Sequence, residues 1–198
     1  MKERNELIEQ GATVMRAVVI YESMYGNTHQ IAEAIGTGLA GEFDVAVVPV
    51  AEAGQAVIAD ADLLVVGGPT HVHGMARPST REAAAKAARQ PAGGLMLEPD
   101  ALKAGLREWL DSLGKSRVHG MAAAFDTRID AAAALTGRAS KSVGKALRHH
   151  GYDLIAEPES FLVTKQDHLL PQERERAASW GARLAAVCAD AGSITPVN

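Results

Sequence analysis

Ala17-Val18-Val19-Ile20-Tyr21 is an apolar run that passes directly into Glu22-Ser23-Met24-Tyr25-Gly26-Asn27-Thr28 and then into a helical pattern with Ile31, Ile35 and Leu39 on one face. A loop between such a strand and helix gathers backbone N–H groups and a helix N-terminus around one point, and Ser23 and Thr28 add hydroxyl donors. The anion that suits this arrangement is a phosphate.

Composition narrows the class. With 198 residues, 47% of them hydrophobic, the chain can bury a substantial core. Residues 15–198 are expected to form one domain after a polar N-terminal extension over residues 1–14. A net charge of -4 and a pI near 6.0 offer no broad attraction to nucleic acid or a membrane surface. Cys188 is the only cysteine, which rules out an internal disulfide or a cysteine-based metal cluster within one chain and fits a reduced, cytoplasmic setting. No apolar run reaches the ~20 residues that span a bilayer, so a soluble protein is expected.

Four runs rich in Val, Ile, Leu or Ala alternate with helical stretches, as in a parallel sheet covered on both faces. They are residues 17–21, 45–50, 62–67 and 118–125. A fifth, 154–163, contains Pro158, which removes a ladder donor and assigns the run to a sheet edge. Ser79 and Glu82 have capping-box spacing at the start of one helix. Leu102, Leu106, Trp109, Leu110 and Leu113 mark another, with Asp100 as N-cap and Gly114 as stop. Residues 90–99 read as an inserted loop. The last helix is expected over 171–190, with Ala177, Trp180, Leu184, Val187 and Cys188 packed inward.

The first loop resembles the phosphate-binding fingerprint of the flavodoxins and flavodoxin-like FMN proteins, T/S-x-T/S-G-x-T/S after the first strand. Ser23, Gly26 and Thr28 match it, and Tyr25 stands where the family has a hydroxyl residue. The same loop is similar to that of WrbA-type NAD(P)H:quinone oxidoreductases. The resemblance covers roughly residues 15–190. It implies an α/β fold, a flavodoxin-like three-layer α/β/α sandwich around a five-stranded parallel sheet in the order 2-1-3-4-5, with FMN at the carboxyl ends of the strands.

On that resemblance three loops converge on the cofactor. The first is Ser23, Met24, Tyr25, Gly26, Asn27 and Thr28. The second follows strand three, with Pro69, Thr70, His71, Val72, His73 and Gly74, and the third follows strand four, with Asp126, Thr127 and Arg128. Gly74 is the candidate for a peptide that reorients beside the flavin. Only 4% of the residues are aromatic and neither Trp109 nor Trp180 lies in these loops, so ring stacking falls to Tyr25, His71, His73 or Met75.

Other patterns carry less chemistry. Gly36 to Gly41 satisfies GxGxxG, yet it ends a helix and precedes a strand, the reverse of dinucleotide binding. Gly137 to Lys145 has the wrong glycine spacing for a P-loop. Arg138, Lys141, Lys145 and Arg148 form a basic stripe, read as a solvated face. His71 and His73 have no partner cluster with metal-ligand spacing, so no metal is expected. No catalytic side chain is expected either, since FMN would carry the chemistry.

The readings left open are an FMN-binding protein carrying electrons to a redox partner protein or small electron acceptor, an FMN-dependent NAD(P)H:quinone-type reductase, and an interaction module that has lost FMN. Donor, acceptor, redox potential and oligomeric state are not legible in the sequence.

Overall fold

The structure, a computed structural model, describes residues 14–71, 73–89, 95–113 and 120–192. Residues 1–13 of the expected 1–14 extension, Val72, the start of the 90–99 loop, the Gly114 stop and the Val118 strand start lie outside the described residues.

β1 (Met15–Tyr21) leads into α1 (Asn27–Leu39), β2 (Phe43–Pro49), a 3-10 turn (Val50–Glu52) and the short α2 (Gln55–Ile58). β3 (Leu63–His71) folds back through β4 (Gly74–Met75) before α3 (Pro78–Ala88) and α4 (Leu106–Ser112). Then follow β5 (Met121–Ile129), α5 (Ala133–Thr136), α6 (Ala139–His149), β6 (Asp153–Leu154), β7 (Glu159–Val163) and α7 (Glu173–Gly192).

β1 pairs in parallel with β2 on one side and β3 on the other, and β3 pairs with β5. β6 and β7 share the far side of β5, so the main strands run β2-β1-β3-β5-β7. This is the expected 2-1-3-4-5 order. The fifth run is divided. Residues 155–158 span the length of only Ala123 and Ala124 opposite, which makes room for Pro158 at the edge.

Alternation along β1 divides the core into two layers. Ala17, Val19 and Tyr21 face α1 and α7, where Ile31, Ile35, Leu39, Trp180 and Leu184 are buried. Val18 and Ile20 face the opposite layer with Leu106, Trp109, Leu110, Val143 and Leu147. Phe125, Phe161 and Trp180 meet edge to face at 6.1–6.4 Å between centroids. Cys188 lies in this layer, and burial pushes its thiol up to about 11, which keeps it protonated at neutral pH.

Several boundaries move. β3 continues to His71 and β5 to Ile129, so residues 68–71 and 126–129, expected as loops, are strand ends held by ladder pairs. α3 begins at Pro78 rather than at a Ser79 cap: proline needs no hydrogen-bond acceptor at the first helical position, and Thr80 Oγ1 accepts the Arg77 N–H at 2.8 Å. α4 begins after Gly105, whose N–H is accepted by Glu108 Oε2 at 2.9 Å; Asp100 instead holds Lys103, and Leu102 is exposed. Gln172 adopts φ 68, which stops α7 from reaching back to Pro171, and Val187 on that helix is exposed. Arg138 leaves the basic stripe and donates to Ser160 Oγ and Pro158 O at the sheet edge, while Lys141, Lys145 and Arg148 stay exposed.

Gly38 of the GxGxxG pattern has a packing cause. A Cβ on Gly38 would lie 2.0 Å from the Ala178 carbonyl oxygen, and one on Gly181 would lie 2.3 Å from that of Ile35. α1 and α7 therefore meet backbone to backbone. Gly38→Ala is expected to cost about 3 kcal/mol or more in urea denaturation, as overpacking against an unyielding backbone does. Gly41→Ala, with nothing within 4 Å of its Cβ, should change stability by less than about 0.5 kcal/mol.

Candidate functional site

The turn after β1 is shaped by Gly26, which takes φ 86, the left-handed region that glycine enters without steric cost. Ser23 Oγ accepts the Gly26 N–H at 3.1 Å. Among the described residues the N–H groups of Met24, Tyr25, Asn27 and Thr28 have no hydrogen-bond partner. They stand at the start of a 13-residue helix with no acidic side chain in its first turn. Ser23, which accepts through oxygen, keeps its own hydrogen to donate. Thr28 and Thr127 pair hydroxyl to hydroxyl at 2.7 Å, so one of their two hydrogens also remains available.

These groups open onto a cleft of about 400 Å³ at the carboxyl ends of β1, β3 and β5. Of the expected residues, Ser23, Met24, Tyr25, Asn27, Thr28, Pro69, Thr70, His71, Thr127 and Arg128 line it. Gly26 contributes its turn without lining the wall. His73 and Gly74 lie outside the lining: β4 pairs Gly74 with His71, and it is His73, at φ 70, that carries the left-handed backbone there. Asp126 also departs from the expected role. It is fully buried, and its Oδ2 accepts the Thr70 hydroxyl and the Ser140 N–H, while Thr70 Oγ1 accepts the Ala139 N–H. Together they cap α6, so Asp126 is engaged with the scaffold.

Ile129, from the expected third loop, also lines the cleft, and two walls went unread in the sequence. α3 contributes Thr80, Ala83, Ala84 and Ala87, and the end of β7 with the segment after it contributes Val163 and Asp167. Tyr25 donates its hydroxyl to Ala84 O at 2.8 Å, and Asn27 Nδ2 donates to Asp167 O at 2.7 Å, which closes the ring of elements. A signal was present for the last wall. The polar run 164–168 follows the fifth strand at its carboxyl end, where ligands gather in such sheets.

A buried triad sets α3. Arg81 donates both terminal nitrogens to Glu108, at 3.1 and 3.2 Å, and lies 3.7 Å from Glu22 Oε1. Burial raises Glu22, although the Leu106 N–H and Arg81 pull it down. Burial also acts to raise Glu108, but its closer bonds from Arg81 and the Gly105 N–H hold it below the usual range. Desolvation offsets much of the Coulomb attraction in such buried pairs, and what the geometry shows is a link between α3, α4 and the end of β1. Behind the cleft, burial and the Arg81 charge lower His71, whose Nε2 is buried without a partner. On the far side of the cradle, Glu98 accepts through Oε1 from His29 and would sit 3.2 Å from a Gly26 Cβ.

The flavodoxin family model matches residues 19–97 of the chain. Over 88% of the chain, and 99% of the other, the fold resembles a flavodoxin from the domain Archaea at 20% identity and TM-score 0.60. It likewise resembles a flavodoxin, WrbA-like protein from Agrobacterium tumefaciens (19% identity, TM-score 0.58, 89% and 98% covered). A third is oxidised Flavodoxin 2 from Bacillus cereus (18%, 0.56, 89% and 99%). No curated protein matches the sequence. The chain is flavodoxin-like in its leading sequence segment and in its fold.

His71 yields a pH test. Its lowered folded-state pKa means the unfolded chain binds the proton first, so stability falls as pH drops below the ordinary value of about 6.5 and levels off below the folded pKa. NMR titration should place His71 below free histidine. His71→Gln should remove that part of the acid-side loss in urea unfolding.

Proposed function

We propose that the chain is an FMN-binding redox protein that carries electrons through noncovalently held FMN. The observation behind this reading is the set of unpartnered amides at Met24, Tyr25, Asn27 and Thr28, at the mouth of the cleft between the ends of β1, β3 and β5. Backbone donors on a helix N-terminus are the chemistry a phosphate ester selects. The residues present fit the group: four free amides and two available hydroxyl hydrogens belong to residues that line one cleft, and its volume of about 400 Å³ is within the size range of cofactor sites.

FMN, when bound, supplies one- and two-electron redox chemistry. The chain's own tasks are binding and environment. Ser23, Thr28 and the amides of Met24, Tyr25, Asn27 and Thr28 would hold the phosphate. Pro69 to His71, Thr127, Arg128 and the alanine face of α3 would enclose the ring, and among the described residues Tyr25 and His71 bring the only aromatic and imidazole rings in the lining. His71 Nε2, buried and without a partner, can donate or accept one hydrogen bond there, according to its tautomer. Arg128 Nη1 is bound to Ile129 O and Ala131 O, so its guanidinium braces the rim of the cleft. Electrons would pass to a redox partner protein or a small acceptor, and the lone buried thiol suits a reducing cytoplasm.

The test is titration of apoprotein with FMN, read by the visible spectrum and by quenching of flavin fluorescence. Saturable quenching is expected, and its absence would end this reading. Thr28→Ala should weaken binding about 10- to 100-fold, the value of one charge-assisted donor. Glu98→Gln should tighten FMN by about two- to fivefold at low salt, an effect that fades as salt rises, because it removes a carboxylate beside the cradle.

A further inference from the structure

A second pocket of about 330 Å³ lies on the other side of the cradle, at the ends of β1 and β2, and among the described residues Ser23 alone lines both it and the cleft. Its chemistry is opposite in sign. Glu22, Glu52, Glu98 and Asp100 reach its wall against two fixed cations, Arg81 and Lys103. Both cations are engaged: Lys103 Nζ sits 2.6 Å from Asp100, and Arg81 directs its fork to Glu108. His29 is held by Glu98.

Glu22 is the feature that points to a ligand. Its side chain is 5% exposed, and Oε2 accepts the Leu106 N–H at 2.9 Å. Oε1 accepts no hydrogen bond, the Arg81 nitrogen at 3.7 Å being beyond bonding distance. A buried carboxylate oxygen left in this way calls for a donor. The walls also say what else the ligand carries. Tyr21 and His29 stack at 4.5 Å and 12° along one side, and Val50 and Ala101 are buried apolar residues on another. The excess negative charge turns away phosphates and carboxylates. Among the described residues no group of His, Cys, Asp and Glu is arranged to hold a metal ion.

We propose that this pocket binds a small organic cation with N–H donors on a flat apolar body, of the amidinium class, with Glu22 as its principal anion. The cation donates to Glu22 Oε1, its body lies against the Tyr21–His29 pair, and Glu52 at the exposed rim adds attraction. The site is independent of the FMN reading.

Benzamidinium is the probe, followed by calorimetry and by amide NMR shifts in the full chain. Saturable shifts at Tyr21, His29 and Ala101, with none at Thr127 or Arg128, are expected. Benzoate, isosteric but anionic, should not bind. Benzyltrimethylammonium, which keeps ring and charge but lacks donors, should bind more weakly. Glu22→Gln should lower affinity by roughly 30-fold, as loss of one member of a buried charge pair does. Should that variant not fold, Glu52→Gln at the rim should still weaken binding by about threefold. No saturation by about 10 mM benzamidinium, well above the millimolar affinity of a weak fragment, would overturn the proposal. Equal binding of benzoate or of the donor-free cation, or unchanged affinity in the variants, would do the same.

Discussion

The left-handed turn at Gly26 is the constraint on which the rest of the site depends. At φ 86 the chain reverses between β1 and α1 within residues 22–27, and the backbone N–H groups of 24, 25, 27 and 28 are left facing outward instead of being used internally. A residue with a Cβ there would be strained, and its side chain would run into the Glu98 carboxylate. Ser23, bonded to the Gly26 N–H, locks the reversal. The helix that follows is held close to the sheet and to α7 by glycines, so the cradle rests on a rigid base.

Polar residues around the cleft divide by what they touch. Asp126 and Thr70 cap α6, Arg128 braces the turn after β5, and Asn27 ties the 164–168 segment to the start of α1. These bonds position walls. Arg81, between Glu22 and Glu108, does the same for α3 and also places positive charge behind His71. The same triad shapes the wall of the second pocket, so two cavities of opposite electrostatic character stand back to back across one turn.

Aromatic residues are concentrated elsewhere. Phe43, Phe125, Phe161, Trp109 and Trp180 are buried in the two core layers, and Tyr25 alone of the Phe, Tyr and Trp residues lines the cleft. A ligand ring there meets alanine, proline, threonine and imidazole more than π faces. On the proposed function, backbone and hydroxyl donors, rather than stacking, would be the main grip of the site.

The order of strands, the two-layer core and the glycine turn between β1 and α1 were legible in the sequence, because each is written in local signals: apolar runs of strand length, 3.6-residue periodicity, and hydroxyl and glycine residues where β1 meets a helix. Pro158 likewise announced a broken edge. Other features answer to contacts between distant residues. Nothing local says that Asp126 turns from the cleft to cap α6, that strand ends extend through His71 and Ile129, or that the α3 alanines form a wall fixed by Arg81 on Glu108. Those outcomes depend on which backbone groups lack partners once the layers have packed, and on which charges are buried together. That is settled only when tertiary structure brings residues such as Glu22 and Arg81 side by side.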